Sequence, residues 1–349
     1  MSNNQKFVTF GELLLRFSKT GKRRLTQGSF FTGHYGGSEA NVAVSLAVLG
    51  EQVEYVTRLP ESEMGHGGAL RLRELGVGTH HILWGGERIG TYYFEEAASV
   101  RNSRVIYDRH GSAYAALCPG MIDWRKVLDG VSVLHVSGIT AAISPQAAEA
   151  TFEALDIAEQ MGVTIAFDIN YRKNLWRYPG ADPRKTLSQM LSRADMMFGD
   201  AIEFAFITGH RPVNFLARSA DYDMELDKYA AWFDECHQQF PRCRKWLMGM
   251  RNEISSSHHT LTALLYTDGQ LLPSHILDIP GVVDPMGVGD AFMAAFLHAL
   301  VTSQGNDRYA LDYSLAAAAL KNSIAGDFNL STDEEIRQLM EEQGMYIPC

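Results

Sequence analysis

Short apolar runs rich in β-branched and aromatic residues alternate with capped helical patterns along most of this chain, and that alternation restricts its fold more than any other feature. Residues 7–10, 53–56, 131–136, 163–167, 196–198, 246–248 and 261–266 read as strands. Ser144 and Pro145 supply an N-cap and a first-turn proline for a helix running through 147–161 and closing at Gly162. A second helix over 41–49 closes at Gly50, and a third is expected over 313–325. Ser331-Thr332-Asp333-Glu334 has the form of a capping box for the last helix. This order predicts an α/β fold, a mostly parallel central sheet with helices on both faces. Ligands in such folds sit at the carboxyl ends of the strands. Two stretches break the alternation. Residues 13–35 and 85–114 hold strand formers such as Thr91-Tyr92-Tyr93-Phe94 and Arg104-Val105-Ile106-Tyr107 but few helical signals. They predict a small β-sheet standing off the main body. Its open edge and apolar face give a physical motive for pairing with a second copy.

The 349 residues, 46% of them hydrophobic, can bury one large core, so residues 1–349 are read as one domain with the small sheet attached. Against 41 acidic residues stand 31 basic ones, a net charge of −10 with no Lys/Arg cluster, which argues against nucleic-acid or anionic-membrane partners. Cys118, Cys236, Cys243 and Cys349 have neither zinc spacing nor a C-x-x-C pair, the pattern of reduced thiols in a cytoplasmic protein. The start, Met1 to Lys6, lacks the shape of a signal peptide, and no apolar run reaches the roughly 18–20 residues that span a bilayer.

Chemistry concentrates in Asp284-Pro285-Met286-Gly287-Val288-Gly289-Asp290, followed at once by a long apolar helical pattern. Glycines one residue apart let backbone N–H groups approach a ligand, and the helix start adds unsatisfied donors and a positive dipole end. A carboxylate beside such an anion site opposes simple binding. It makes sense if Asp290 takes a proton from a hydroxyl attacking a phosphoryl group. A capping aspartate after a tight turn is the other reading of the same residues. No P-loop G-x-x-x-x-G-K-[ST] and no G-x-G-x-x-G after the first strand is present, so P-loop and dinucleotide readings lose support.

Residues 284–290 resemble the D-T-x-G-A-G-D signature of the ribokinase-like (PfkB) carbohydrate kinases, with Pro285 for the usual threonine and Val288 for the usual alanine. Gly36-Gly37-Ser38-Glu39-Ala40-Asn41-Val42-Ala43 is similar to the family's N-terminal G-G-x-x-x-N-x-A signature. The two lie near opposite ends of the chain, so the resemblance spans nearly all of it. It implies a ribokinase-like fold whose small sheet is a β-lid over the sugar, often paired with another subunit's lid. It implies ATP and Mg2+ as cofactors, Asp290 as base, and the N–H groups of Gly287, Val288 and Gly289 as the anion hole. Asp200-Ala201-Ile202-Glu203 looks like the family's N-x-x-E motif with aspartate in first place. Glu203 then organises magnesium through water, or else this is only an acidic helix start.

Asp168-Ile169-Asn170-Tyr171-Arg172-Lys173-Asn174-Leu175-Trp176 resembles the D-x-N-x-R-x-x-L-W segment of sugar-acid and fructose kinases in the family. By that likeness Asn170 and Arg172 serve the nucleotide and Arg172 also the substrate, with an ion pair to Asp168 as the alternative. Tyr107-Asp108-Arg109-His110-Gly111-Ser112-Ala113 is similar to the Y-x-R-x-x-S-A segment of 2-keto-3-deoxygluconate kinases, and Glu39 stands where fructose kinases usually carry proline. Arg109 and Arg172 would meet an open-chain sugar acid's carboxylate or keto end, with Tyr92 and Tyr107 as a flat wall; a solvated sheet face is the alternative. Gly37, Asn41 and Asp327 are implied substrate contacts. Gly249 and Arg251 are implied nucleotide contacts, and the Ala316–Ala319 run fits either an adenine wall or close helix packing. The expected activity is ATP-dependent phosphorylation of 2-keto-3-deoxygluconate on its terminal hydroxyl. A fructose or ribose kinase and a sugar-binding regulator that has lost catalysis are the alternatives.

Overall fold

The computed structural model describes residues 5–210 and 225–345; of the segments singled out above, Cys349 and residues 1–4 lie outside these. In chain order the strands are β1 (Lys6–Phe10), β2 (Leu14–Ser18), β3 (Thr32–Gly36), β4 (Gln52–Leu59), β5 (Ile82–Trp84), β6 (Gly90–Glu95) and β7 (Arg104–Asp108). Then follow β8 (Val133–Ser137), β9 (Thr164–Asp168), β10 (Met196–Gly199), β11 (Lys245–Ser255), β12 (His258–Thr267), β13 (Gln270–Pro273) and β14 (Leu277–Pro280). Ten of them form the central sheet, in the order β13–β12–β11–β10–β9–β8–β1–β4–β5 with β14 also on β12. From β5 to β11 every pairing is parallel, and only the β12, β13 and β14 edge is antiparallel. All seven strands read from the sequence belong to this sheet, so the α/β expectation holds.

Period-two burial builds two cores, one on each face. Phe7, Ala166 and Leu247 join the helices Ser38–Val48, Val288–Thr302 and Asp307–Lys321 on one side. Val8, Ile165, Phe167, Trp246 and Met248 face the helices Pro145–Met161, Pro183–Leu191 and Leu226–Gln239 on the other. Adjacent strand residues feed opposite cores because successive side chains leave a strand on opposite faces.

The expected caps form with two corrections. Ser144 accepts the Ala147 N–H ahead of Pro145–Met161, and Gly162 ends that helix in the left-handed region at φ 70°. The last helix (Asp333–Glu342) carries its capping box one residue later than expected, between Thr332 and Glu335. Ser331 is buried and its N–H is taken by Asn329 Oδ1, so it belongs to the preceding turn. The helix expected over 313–325 is Asp307–Lys321, opened by the Asn306 side chain accepting the Tyr309 N–H. Past Lys321 the chain tightens into i→i+3 bonds, Ser323 N–H to the Leu320 carbonyl at 2.9 Å and Ile324 N–H to the Lys321 carbonyl at 3.1 Å, and the Lys321 ammonium donates to the Ile324 carbonyl at 2.9 Å.

A second sheet of four strands, ordered β3–β2–β6–β7, draws on the two stretches that broke the alternation. Leu14, Tyr92 and Phe94 are buried on its inner face, with Val105, Tyr107 and Met286 packed beside them. Met286 belongs to the glycine-rich turn, so the small sheet closes directly onto that turn.

Candidate active site

The glycine-rich turn is shaped by close backbone approach. Gly287 adopts φ 80°, and a Cβ there would meet the carbonyl oxygen of Asp327 at 2.0 Å, so only glycine fits. The first hydrogen bond inside the helix Val288–Thr302 runs from Ala291 N–H to the Gly287 carbonyl, at 2.9 Å. The N–H groups of Val288, Gly289 and Asp290 therefore lack intrahelical acceptors, and no side chain caps this end. Gly37 shapes the facing helix start in the same manner: its φ is 150°, and a Cβ would meet the Glu12 carbonyl at 2.2 Å.

Those two helix starts bring Asp290 within reach of neutral donors. Its Oδ1 accepts from Ser38 Oγ at 2.7 Å and its Oδ2 from Asn41 Nδ2 at 2.7 Å. Ser38 Oγ in turn accepts from Asn170 Nδ2 at 2.8 Å, and Asn170 Nδ2 lies 3.1 Å from Asp168 Oδ2. Asn170 sits just past β9 at φ 40°, a left-handed turn that asparagine tolerates. Burial pushes the Asp290 carboxyl above its ordinary range, while the Asn41 and Ser38 hydrogen bonds and the charges of Arg172 and Lys321 resist. Asp168 is pushed up further, by burial and then by repulsion from Glu203 and Asp290.

Glu203 stands on the helix Ala201–Thr208, whose start is a full capping box with Asp200. Its Oε1 accepts the Tyr171 N–H at 2.6 Å and its Oε2 the Asp200 N–H at 3.1 Å. Burial, with repulsion from Asp200, raises the carboxyl to about 7, against Arg172 and those two N–H groups. The Arg172 side chain is 45% exposed and reaches Glu203 Oε1 only at 4.0 Å. The alternative pairing of Arg172 with Asp168 is not formed: Asp168 is held by Asn170.

Most of the singled-out residues line one cavity of about 1600 Å3: Gly37, Asn41, Tyr92, Tyr107, Arg109, Asn170, Arg172, Glu203, Gly249, Arg251, the 287–290 turn and Asp327. That exceeds the roughly 300–1,000 Å3 of an ordinary small-molecule pocket and leaves room for two ligands side by side. At the small-sheet end the polar groups are already paired. Arg109, 5% exposed, donates from Nε to Glu12 Oε2 at 2.6 Å and lies over the Tyr107 ring. Tyr92 donates its hydroxyl to Asp327, which Arg16 Nη1 also meets at 2.9 Å. At the other end Phe198 packs against Gly249 and Gly289, stacked on Phe292. Arg251 pairs with Glu253 at 2.7 Å. Of the alanine run, Ala318 lines the cavity while Ala316 and Ala317 are fully buried in helix packing.

Four contributors escaped the sequence reading: Ser38, Glu12, Arg16 and Lys321. Some signal for the last three was present, since Glu12 and Arg16 are charged residues inside an apolar run and Lys321 directly follows one. Their partners lie far away in sequence, and nothing local marks them. Hard oxygen ligands suit magnesium. Among the described residues no three His, Cys, Asp or Glu side chains converge as a metal set. Each Glu203 oxygen accepts one N–H and keeps a second lone pair, so the carboxylate is still a hard-oxygen donor at this place. Asn170 Oδ1 is buried without a hydrogen-bond partner, an acceptor that a hydrated ion or a hydroxyl would satisfy.

A carboxylate at an open helix N-terminus, facing a wide cavity, has the parts that small-molecule phosphotransferases need: a proton acceptor beside donors for phosphoryl charge. The chain belongs to the pfkB family of carbohydrate kinases, whose sequence pattern matches residues 4–234. It is 28% identical over 339 residues to a 2-dehydro-3-deoxygalactonokinase of Haloferax volcanii, covering 96% of each chain. A solved 2-dehydro-3-deoxygluconokinase of Thermotoga maritima shares 32% identity and a TM-score of 0.89, over 97% of this chain and 99% of that one. A fructokinase of Xylella fastidiosa solved with bound ATP, 21% identical, shares the fold at a TM-score of 0.78 over 98% and 99% of the two chains.

Proposed function

We propose that this carbohydrate kinase moves the terminal phosphoryl group of ATP to the terminal hydroxyl of 2-keto-3-deoxygluconate, acting as one kinase unit with the small sheet as its lid. The observation that carries the reading is that Asp290 and the open helix N-terminus share a cavity with Arg109, Arg172, Tyr92 and Tyr107. The names of the two sugar-acid kinase relatives agree with it. The bound-ATP fructokinase of the same fold supports the nucleotide.

In this reading Asp290 accepts the sugar hydroxyl's proton as that oxygen's electron pair forms the bond to phosphorus. The bond to the leaving phosphate oxygen breaks, and the negative charge leaves with the diphosphate. Ser38 and Asn41 hold both Asp290 oxygens by neutral donors, which orients the carboxylate without cancelling its charge. The N–H groups of Val288, Gly289 and Asp290 stabilise charge on the transferred group. Magnesium, when bound, would neutralise phosphate charge near Glu203, Asn170 and Arg172. Pro285 has no N–H, and Asp284 Oδ1 closes the turn past it by accepting the Met286 N–H at 3.0 Å. Gly37, Asn41, Tyr92, Tyr107, Arg109, Arg172 and Asp327 are the substrate side, and Asn170, Arg172, Gly249, Arg251, Gly287 and Gly289 the nucleotide side. A pair of lids in a homo-oligomer completes the reading.

One observation favours a second reading. Arg109 is already neutralised by Glu12, so the small-sheet end offers an incoming carboxylate less net charge than its arginines suggest. A fructose or ribose kinase would need no such charge. ADP release from ATP and magnesium, with 2-keto-3-deoxygluconate, its galacto epimer, fructose, ribose and gluconate offered in parallel, separates the two. Turnover confined to the keto-deoxy acids supports the first reading, whereas preferred turnover of a neutral sugar replaces it with the second.

A further inference from the structure

Behind the glycine-rich turn lies a buried charge cluster that shares only Asp327 with the substrate side. Arg16 leaves β2 with 2% of its side chain exposed and meets two carboxylates. Its Nη2 lies 2.5 Å from Asp284 Oδ2, and its Nη1 lies 2.9 Å from Asp327 Oδ1 and 3.3 Å from Asp284 Oδ1. Asp284 holds backbone with the same oxygens: Oδ1 accepts from Met286 N–H at 3.0 Å, and Oδ2 accepts from Gly326 N–H at 2.9 Å. Lys321 adds a second buried cation, donating to the carbonyls of Ile324 at 2.9 Å and Asp284 at 3.4 Å.

The backbones joined in this way touch each other. A Cβ on Gly287 would strike the Asp327 carbonyl at 2.0 Å, and one on Gly36, at the end of β3, would strike the Asp327 carboxylate at 2.3 Å. The 284–287 turn, the 324–327 loop and the small sheet therefore meet at Asp327, with Arg16 spanning all three. A guanidinium suits that place, since its rigid fork of donors can serve two carboxylates at once and a single ammonium cannot.

From this juxtaposition we propose that Arg16 is a positioning residue for phosphoryl transfer: through Asp284 it sets the turn that presents the 287–290 N–H groups, and through Asp327 it ties that turn to the small sheet. Arg16 touches neither sugar nor nucleotide in this assignment. Its loss acts on the transition state, where donors displaced by a fraction of an ångström no longer match the developing charge. The inference rests on the kinase reading above but not on the identity of the sugar.

The test uses whichever sugar the wild-type chain phosphorylates, so a wrong substrate shows in the wild type and leaves the inference intact. Arg16→Met and Arg16→Lys are compared with wild type for kcat and for the KM of each substrate, with far-ultraviolet circular dichroism and thermal midpoint alongside. Expected is a fall in kcat of about tenfold or more for Arg16→Met with both KM values within about threefold, and partial rescue of kcat by Arg16→Lys. A raised sugar KM with kcat intact would overturn the inference, because Arg16 would then serve only the small sheet. Should Arg16→Met fail to fold, Asp284→Asn decides: it keeps one acceptor oxygen for the Met286 or the Gly326 N–H, turns the other into a donor and removes the charge that Arg16 grips. The same kcat-selective loss is expected there, and wild-type kcat in folded Asp284→Asn overturns the proposal.

Discussion

The two ends of the cavity are built by opposite means. At the glycine-rich turn, the Asp290 oxygens are held by two neutral donors, Ser38 and Asn41, with no cation paired directly to them among the described residues. Beneath the small sheet, Arg109 and Arg16 are held in buried pairs with Glu12, Asp284 and Asp327. A group that must accept a proton has to retain its charge and basicity, whereas a group that shapes a binding wall can be fixed by a partner. Arg172 stands between the two ends, half-exposed and loosely held at 4.0 Å from Glu203.

The contrast can be broken first at its reactive end. Asp290→Asn keeps the size of the side chain but turns one of its two acceptor oxygens into a donor and removes the base, and turnover is expected to fall at least about a hundredfold while the protein stays folded. A steady-state assay of the folded variant showing near-normal turnover would take Asp290 out of the mechanism.

At the small-sheet end the larger effect should be on stability. Arg109→Ala leaves Glu12 buried and unpaired, at an expected cost of about 3–5 kcal/mol in denaturant unfolding. Adding Glu12→Gln should return much of that cost. If the double variant were no more stable than the single one, the pair would not be the source of the loss. Sugar-acid turnover left untouched in a folded Arg109→Ala protein would remove Arg109 from the substrate site.

Proton affinity sharpens the comparison further. Transfer needs ionised Asp290, whose pKa burial has raised, so kcat should be lost as pH falls through that raised value and be full above it. The Asn41 hydrogen bond favours the ionised form, so Asn41→Ala should move this acid limb of the kcat profile to higher pH. An unmoved limb would mean that another group sets it. The smallest change is expected at Arg251, exposed and paired with Glu253. Arg251→Ala should raise the nucleotide KM by only about threefold, the scale of an exposed ion pair, and a large fall in kcat would give it a greater role.

Much of the fold was readable because strands and helices announce themselves locally. Ser144, Pro145 and Gly162 bound a helix by the chemistry of adjacent residues, and the short apolar runs became strands of the central sheet. Gly287-Val288-Gly289-Asp290 was readable for the same reason, since a helix start and its open N–H groups are properties of consecutive residues. Local reading was also where small errors arose: the final capping box moved from Ser331 to Thr332 because the Asn329 side chain takes the Ser331 N–H.

By itself, then, the sequence determined the layers, some of the helix ends, the glycine-rich turn and the family. Only the tertiary structure decided that Ser38 and Asn41 would grip Asp290, that Glu12 would neutralise Arg109, and that Arg16 would bridge Asp284 and Asp327. These partners come from helix starts and strand ends far apart in the chain. Charge pairing acts through space: a carboxylate selects whichever donor the packed sheet and helices bring within about 3 Å, and no local sequence pattern encodes that distance.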